Sequence, residues 1–238
     1  MNERLSSTDR KWTYGRRRGR KLRATQSQLM ASLLPRLRID LPAQGTLDPQ
    51  TLFQPTKGLT WFEIGYGGGE HLVRQAAAHP EIGFIGAETF ENGVAKLLAA
   101  IANQGLGNIR LLMDDALRLI AALSDAGIDR VFILFPDPWP KQRHHKRRVV
   151  STRTLAELAR VMRDGAELHL ATDHPDYLRW MLAAATASAD FEWPARRPAD
   201  WRCPPSDWSP TRYQTKALVA GRKIFFLRLV RRQRLNRV

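Results

Sequence analysis

Four carboxylates that could bind a ligand each follow a hydrophobic run in the chain: Glu63, Glu88, Asp115 and Asp137. A carboxylate accepts hydrogen bonds from the hydroxyl groups of a ribose or from the amino and N–H groups of a base. In open α/β sheets, ligands bind outside the carboxyl ends of the strands. If the hydrophobic runs are strands, we therefore expect these four side chains to lie along one edge of a sheet.

Some of these acidic residues also have a simpler explanation. Glu88 would be a solvent-exposed residue at a strand end, and one member of the pair Asp114 and Asp115 would cap the following helix. Asp173 ends a later hydrophobic run, and either it or Asp176 would cap the helix that follows. For Asp173, the spacing of the acidic residues is compatible both with helix capping and with a role in substrate binding.

A glycine-rich turn follows the run that ends near Glu63, and a predicted helix follows the turn. Glycine allows positive φ and lets a ligand approach the backbone without meeting a Cβ. Gly65 and Gly67 match the first two glycines of the dinucleotide-binding pattern G-x-G-x-x-G, but Glu70 stands in place of the third. The loop instead reads G-x-G-x-G and ends at Gly69, so a different ligand is expected.

The carboxylate of Glu63 indicates which kind of ligand this loop would hold. A pyrophosphate would be repelled by that charge, whereas a ligand with an ammonium group would be attracted. S-adenosylmethionine carries an α-ammonium and a sulfonium, so the loop favours this cofactor. The alternative is a turn that binds nothing, although four glycines within residues 65–69 cost conformational entropy that a simple turn does not require.

A second candidate site lies in residues 135–150, which read F-P-D-P-W-P-K-Q-R-H-H-K-R-R-V-V. Two prolines fix the backbone around Asp137, whose carboxylate could accept hydrogen bonds from the N–H edge of a base. Trp139 offers a stacking surface for an extruded base. The basic residues that follow would contact phosphates. The alternative is a proline-stiffened loop with a solvated basic face.

The net charge of the chain points to a polyanionic partner. Lys and Arg number 38 against 23 Asp and Glu, giving +15, and many of the basic residues cluster in residues 1–23, 141–148 and 221–238. No apolar face accompanies these clusters, so nucleic acid is favoured over membrane lipid. The single cysteine excludes an internal disulfide, and the six histidines show no metal-ligand spacing. Without a bilayer-spanning run or a signal peptide, we expect a soluble, cytoplasmic protein with no metal.

Strands and helices alternate through the middle of the chain, which predicts a mostly parallel, doubly wound α/β sheet. Residues 1–25 form a predicted basic, flexible arm, and residues 26–238 a single domain, beginning with a helix at 26–37 that Pro35 ends or bends. The predicted strands are 59–64, 82–88, 109–113, 130–135 and 166–172, and the helices are 70–78, 91–104, 115–123, 152–163 and 175–188. After a proline- and tryptophan-rich segment at 189–212, residues 213–220 and 223–230 predict a closing antiparallel hairpin.

Taken together, these motifs resemble the bacterial tRNA (guanine-N7-)-methyltransferases over roughly residues 14–230. The matching motifs are E-I-G-x-G-x-G at 63–69, F-P-D-P-W-x-K at 135–141, K-R-R at 146–148, T-D at 172–173, T-x-Y at 211–213 and the N-terminal G-R-x-L-R-x-x-Q at 19–26. The resemblance implies a class I, Rossmann-like methyltransferase fold. It also implies transfer of a methyl group from S-adenosylmethionine to N7 of a variable-loop guanine in tRNA.

The resemblance also implies roles for individual residues. The cofactor contacts would be Glu63, Gly65, Gly67, Gly69, Glu88, Asp115 and Asp137, and Asp137 would also be the catalytic residue. The substrate contacts would be Lys141, Asp173, Thr211, Arg212, Tyr213 and Gln214, and the RNA contacts would be Arg143, Lys146, Arg147 and Arg148. The chain departs from the family at Gln214, where Glu is usual, and at His145, where Asn is common. An amide at position 214 keeps hydrogen bonding and loses the charge.

Three other functions compete with this one, and the oligomeric state stays open between monomer and homodimer. An exocyclic-amine methyltransferase shares the acid-Pro-aromatic pattern, but here Pro136 precedes Asp137 and the basic run follows directly. A non-catalytic RNA-binding protein would not need the intact Glu63, Glu88 and Asp137. A nicotinamide dehydrogenase is disfavoured by the missing third glycine and by the surplus of positive charge.

Overall fold

The computed structural model describes residues 14–234, which form a seven-stranded sheet with helices packed on it. The strands are β1 Thr60–Ile64, β2 Gly83–Ala87, β3 Ile109–Leu112, β4 Ile128–Leu134, β5 Met162–Thr172, β6 Phe191–Glu192 and β7 Phe225–Arg231. The helices are α1 Ala24–Ser32, α2 Leu34–Leu37, α3 Glu70–Ala78, α4 Glu91–Gln104, α5 Ala116–Ala122, α6 Thr152–Val161, α7 Pro175–Thr186, α8 Ala199–Arg202 and α9 Arg212–Val219. Short 3₁₀ helices cover Pro49–Leu52 and Gln142–Arg147.

The order of the strands, β3-β2-β1-β4-β5-β7-β6, places the switch in winding direction between β1 and β4. These two strands are parallel, and Ile64 pairs with Ile133 near their carboxyl ends. A crevice forms at such a switch because the connections leave in opposite directions. The glycine loop that follows β1 and the Asp137 loop that follows β4 therefore lie side by side.

Burial on both faces of the central strands explains their continuous hydrophobic sequences. All five residues of β1 are buried, and so are all five of β2. Phe62 and Ile85 pack into the core on one side of the sheet, whereas Trp61 and Phe84 pack on the other. Parallel strands covered by helices on both faces show this pattern. The predicted doubly wound sheet is confirmed.

The alternation predicted for residues 59–188 is also confirmed, with element ends that differ by a few residues. Helices α3 and α4 span the predicted residues. Gly105 ends α4 in the left-handed conformation, at φ 64°. Asp115 caps α5 by accepting a hydrogen bond from the Leu117 N–H at 2.9 Å. The predicted helix at 26–37 is instead two short helices, and Pro35 lies in the first turn of the second.

The predicted closing hairpin is wrong, because its first half forms helix α9. The Thr211 hydroxyl accepts a hydrogen bond from the Gln214 N–H at 3.0 Å and so starts the helix. Ala217 faces the core, while Leu218 and Val219, which suggested a strand, are exposed. The expected C-terminal antiparallel strand is present as β7. It pairs with β5 and β6 rather than with residues 213–220.

Residues 14–23, the described part of the predicted N-terminal arm, lie against the start of α4. The side chain of Asn92 holds this segment at two points. It accepts a hydrogen bond from the Gly19 N–H at 2.7 Å and donates one to the Arg20 carbonyl at 2.7 Å. A Cβ on Gly19 would lie 2.4 Å from the Asn92 Oδ1 atom, so a larger residue there would displace the Asn92 side chain that holds the segment. Residues 1–13 and 235–238 of the predicted arm and basic tail lie outside the described residues.

Within residues 14–234, no helix has both the length and the apolar character needed to cross a membrane.

A charged cluster on the sheet gives a test of the fold. Glu167 accepts a hydrogen bond from His169 at 2.9 Å and lies beside Arg130 and Arg228, and these contacts lower its pKa to about 2. A carboxylate whose folded-state pKa is depressed stabilises the fold above its unfolded-state pKa, near 4.5, and loses that effect as the pH falls.

We therefore expect Glu167→Gln to lower the free energy of unfolding near pH 7, and the difference from wild type to shrink as the pH falls below about 4.5. Urea unfolding of both proteins between about pH 7 and about pH 3 measures this difference. Glu157→Gln, at an exposed i,i+3 pair with Arg160, serves as the control and should change stability little at any pH. A difference that stays constant over the whole range would contradict the role of the Glu167 charge.

Candidate active site

The glycine loop adopts a backbone that only glycine accepts without strain. Gly65, Gly67 and Gly69 have φ values of 70°, 57° and 77°. Gly69 is also the N-cap of α3, and a Cβ there would lie 2.6 Å from the Leu97 side chain of α4. A Cβ on Gly65 would meet nothing within 4 Å, so the loop is open on that side. The loop therefore combines tight packing against α4 with an open face.

Glu88, which follows β2, fixes the middle of the glycine loop. One of its carboxylate oxygens accepts a hydrogen bond from the Gly67 N–H at 2.8 Å, and the other accepts from the N–H groups of Thr89 and Phe90. Burial nevertheless raises the pKa of Glu88, and the charge of Asp137 adds to the rise. Glu88 and Asp137 are thus close enough to repel each other, which makes the crevice favourable for a cation.

Glu63, at the carboxyl half of β1, is only 3% exposed. Its carboxylate accepts a hydrogen bond from His71 Nδ1 of α3 at 2.8 Å. Tyr66, within the loop, is buried beside it, and burial together with the charges of Glu88 and Glu63 raises the pKa of the phenol well above its ordinary value. His71 is not among the residues expected at the site, although a histidine at the start of the helix that follows Glu63 and the glycine loop was an available signal.

The Asp137 loop is held in a strained conformation. Phe135 and Trp139, on either side of Asp137, have φ values of 51° and 42°, which residues with a side chain rarely adopt. Two hydrogen bonds hold the loop in place. The Phe135 N–H donates to the Ala171 carbonyl of β5 at 2.8 Å, and Arg148 Nε donates to the Pro138 carbonyl at 2.9 Å. Strain of this kind persists only where the surroundings impose it, and it is common at active sites. Asp137 itself is exposed at the edge of the crevice.

The predicted stacking residue Trp139 is partly covered by Arg147 and Tyr14. The guanidinium of Arg147 lies 4.9 Å from the centre of the Trp139 ring and 4.8 Å from that of Tyr14. The two rings meet edge to face, with centroids 6.4 Å apart. The N-terminal segment also passes close to Asp137, because a Cβ on Gly15 would lie 3.9 Å from Asp137 Oδ2. Tyr14 therefore joins the site, and nothing in its sequence context indicated this.

The basic run after Asp137 divides into exposed and buried residues. Lys141, Arg143 and Lys146 are exposed, as expected for phosphate contacts. The prediction that Arg148 contacts RNA is wrong, because its side chain is 1% exposed. Arg148 pairs with Asp176 of α7 and lies between the rings of Tyr177 and Trp180, at 4.9 and 5.1 Å from their centres. It is a structural residue that anchors the Asp137 loop to α7.

Helix α9 brings the predicted substrate segment 211–214 to the glycine loop. A Cβ on Gly67 would lie 3.2 Å from the Tyr213 ring, so the ring lies directly over the loop. The charges of Glu88, Asp137 and Glu70 help to raise the Tyr213 pKa, although burial is the largest cause. The structure thus brings the segment together with the cofactor-site candidates, which lie far away in the sequence.

The remaining predicted residues lie near the same edge, in roles that the sequence left open. Asp173 pairs with Arg222 at 2.8 Å, and His174 rather than Asp173 or Asp176 caps α7. Asp114 pairs with Arg17 and Arg118, while Asp115 caps α5. A cavity of about 170 Å³ lies next to Asp114, between the N-terminal segment and the carboxyl ends of β2 and β3. It is lined by Arg17, Arg18, Thr89, Glu91, Met113 and Asp114.

The described residues hold no cluster of three His, Cys, Asp or Glu side chains suited to a metal ion.

An open α/β sheet with a glycine loop at its switch point and carboxylates at the carboxyl ends of β1, β2, β3 and β4 is the arrangement of a Rossmann-like methyltransferase. A solved structure with this fold is the 16S rRNA (adenine(1408)-N(1))-methyltransferase from Catenulisporales acidiphilia, with 20% identity and a TM-score of 0.53. The match covers 82% of this chain and all of that one. At this identity the likeness shows the fold alone.

Sequence comparison identifies the family. A family model described as "Putative methyltransferase" matches residues 57–227. A tRNA (guanine-N(7)-)-methyltransferase from Rhodospirillum rubrum is 49% identical over 224 residues, covering 93% of this chain and 88% of the relative. One from Chelativorans sp. (strain BNC1) is 43% identical and covers 97% of this chain and all of the relative. The chain belongs to the tRNA (guanine-N(7)-)-methyltransferase family.

The burial of Arg148 predicts that it acts on stability rather than on RNA binding. Arg148→Met should lower the free energy of unfolding by about 2–3 kcal/mol, because it leaves the Pro138 carbonyl without its partner and removes the pair with Asp176. Lys146→Met, two residues earlier and exposed, is the matched control and should change it by less than about 0.5 kcal/mol. Urea unfolding monitored by circular dichroism measures both. Equal stability of the two variants would show that Arg148 is not an anchor.

Proposed function

We propose that this protein transfers a methyl group from S-adenosylmethionine to N7 of a guanine in the variable loop of tRNA. The observation that carries the proposal is the switch point itself, where the strained Asp137 loop adjoins the glycine loop. Exposed basic residues follow that loop directly, and the family relatives are named as tRNA (guanine-N(7)-)-methyltransferases. A cofactor site, an acceptor for a base and a phosphate-binding run thus occupy one edge of one sheet.

S-adenosylmethionine fits the residues that line this edge. The carboxylates Glu63, Glu88 and Asp137 concentrate negative charge there, and the raised pKa of Glu88 reflects that crowding as well as burial. A ligand with an ammonium and a sulfonium relieves the repulsion. The side of the loop at Gly65 is open to a ligand. The cavity that Thr89 and Met113 line, at the ends of β2 and β3, suits the adenosyl half.

Each residue would have a distinct task in holding the cofactor. Glu88 would accept a hydrogen bond from a ribose hydroxyl, since a carboxylate has about four acceptor positions and the backbone N–H groups use three. Glu63 would offset the positive charge from within the core. Asp115, after β3, is the candidate for the adenine amino group. When bound, S-adenosylmethionine supplies an electrophilic methyl group on its sulfonium.

Methylation at guanine N7 requires positioning rather than proton removal, because N7 already carries a lone pair. Catalysis would then consist mainly of aligning that lone pair with the methyl group. Transfer leaves a positive charge on the purine, and Asp137 would orient the base through its N–H edge and stabilise that charge. Tyr213 over the glycine loop and Lys141 beside Asp137 would position the nucleotide. Metal ions have no part in this proposal.

The product of the reaction tests the proposed function. Purified protein is incubated with labelled S-adenosylmethionine and bulk bacterial tRNA, and the digested nucleosides are separated by mass spectrometry. We expect 7-methylguanosine. Methyladenosine would instead indicate an exocyclic-amine or ring-nitrogen adenine methyltransferase. No methylated nucleoside, together with no cofactor binding by calorimetry, would indicate an RNA-binding protein that has kept the fold.

Asp137→Asn should lower kcat by about 10²–10³-fold, because the amide cannot stabilise the charge that develops on the base. The dissociation constant for S-adenosylmethionine, measured by calorimetry, should change much less, by under about threefold. Asp125→Asn is the matched control, since Asp125 is 72% exposed and pairs with Arg160 in the turn before β4. A near-wild-type kcat for Asp137→Asn would rule out the proposed role.

The N-terminal basic segment should contribute phosphate contacts to tRNA binding. Replacing Arg4, Arg10 and Lys11 by Gln should flatten the slope of log affinity against log salt concentration, by about 0.7–0.9 for each phosphate that these side chains neutralise. Filter binding of tRNA over a range of salt concentrations measures the slope. Replacing Arg196, Arg197 and Arg202, near α8, provides a control with the same change in charge. An unchanged slope in the first variant would show that this segment does not contact RNA.

A further inference from the structure

A buried chain of polar side chains runs from the cofactor site to the substrate segment. Glu63, His71 and Gln75 are 3%, 1% and 3% exposed. Burying polar and charged groups is costly unless each is hydrogen-bonded, so three in contact, one on β1 and two on the inner face of α3, call for an explanation. Helix packing alone would be served as well by apolar residues. The chain ends at the loop that precedes α9.

The hydrogen bonds among Glu63, His71 and Gln75 indicate which atom of each pair is the donor. The Gln75 amide donates to the Asp207 carbonyl at 2.9 Å, and its nitrogen lies 3.4 Å from His71 Nε2. His71 Nε2 is then the acceptor, so the proton lies on Nδ1, which donates to Glu63 at 2.8 Å. One tautomer of one histidine therefore satisfies all three side chains. Glu63 is thus held by His71, His71 contacts Gln75, and Gln75 is bonded to the backbone carbonyl of Asp207.

Residues 207 and 208 connect this chain to α9. The carboxylate of Asp207 pairs with Arg130 on β4 at 2.6 Å. The indole N–H of Trp208 donates to the Gln214 side-chain carbonyl at 2.6 Å. The Trp208 ring lies against His71 on one side and against Phe226 of β7 on the other, with centroids 5.6 and 4.9 Å apart. The loop is thus tied to α3, to two strands and to the first turn of α9.

This arrangement also explains why the amide at position 214 is tolerated. An indole N–H can only donate, so it needs an acceptor oxygen at Gln214, and an amide supplies one as a carboxylate would. Gln214 keeps α9 in register with Trp208 without a charge. Thr211 caps this turn, and Tyr213 lies on it next to Gln214.

We propose that His71, Gln75 and Trp208 are positioning residues that hold the substrate segment 211–214 at a fixed place relative to Glu63 and the glycine loop. The inference rests on the proposed methyl transfer to tRNA. His71 and Gln75 are buried, and Trp208 is half-buried between α3, β7 and the first turn of α9. They fix the position of Tyr213, which lies over Gly67, relative to the glycine loop. Their removal should misplace the RNA without removing any group that contacts it.

A double-mutant cycle tests the inference. Gln75→Met removes the amide that links His71 to Asp207, and Trp208→Phe keeps an aromatic ring but removes the indole N–H. Each variant should lower kcat/KM for tRNA about tenfold, through a small misplacement of the bound base. The double variant should lose about the same factor rather than the product of the two, because both interrupt one chain. The dissociation constant for S-adenosylmethionine should stay within about twofold of wild type in all three.

Two matched controls separate positioning from general effects of substitution. Trp193→Phe removes a buried indole N–H that has no hydrogen-bond partner among residues 14–234, so kcat/KM should not change. Gln104→Met replaces an exposed glutamine at the end of α4 and should also be neutral. Circular dichroism establishes that each variant is folded at the assay temperature. If Gln75→Met is not, Gln75→Leu, which also lacks the amide and carries no donor, takes its place in the cycle.

The outcomes distinguish this inference from the proposed function. If wild-type protein makes no 7-methylguanosine, the function fails. If wild type is active and the two effects multiply, or if both variants match wild type, the positioning role is overturned. A weakening of cofactor affinity that accounts for the whole loss of activity would overturn it as well, since the chain would then support only the glycine loop.

Discussion

Parallel pairing of β1 with β4 is the constraint on which the site depends. Because the connections leave these two neighbouring strands in opposite directions, a crevice forms at their carboxyl ends. The register that places Ile64 opposite Ile133 then sets how close the glycine loop comes to the Asp137 loop. The other elements of the site, including α9 and the N-terminal segment, pack against the two loops that follow this pair of strands.

Concentrating carboxylates at that crevice has an electrostatic cost, and the protein meets it with few cations. Glu88 is stabilised by three backbone N–H groups and Glu63 by His71, while Asp137 remains exposed. The arginines lie further out, where Arg17 pairs with Asp114 and Arg222 with Asp173. The interior of the site thus stays negative and its rim positive. This separation suits a cationic cofactor below and a polyanionic substrate above.

The N-terminal motif at residues 19–26 has a structural role besides its positive charge. Gly19 allows the segment to pass close to the side chains of Asn92 and Phe90, and Gln26 accepts a hydrogen bond from the Arg23 N–H at the start of α1. Just before this motif, Arg17 and Arg18 line the cavity at the ends of β2 and β3. Nearer the N-terminus, Tyr14 contacts Arg147 and Trp139. Described residues 14–23 therefore form a wall of the site in addition to supplying positive charge.

The sequence by itself determined the alternating elements, the glycine loop and the acidic residues at the strand ends, because these follow from local periodicity and from backbone conformations that few residues can adopt. Only the tertiary structure decided which charged groups face solvent. Arg148 and Lys146 belong to one basic run, yet packing between Tyr177 and Trp180 buries the first and leaves the second exposed. Residues 213–220 have a strand-like composition, but the Thr211 cap and the contact of Trp208 with Gln214 make them a helix. That cap is a local signal, a Thr followed three residues later by a Gln, which the strand-like composition outweighed in the prediction. The burial of Arg148, by contrast, depends on α7, which is distant in the chain, and no local pattern encodes it.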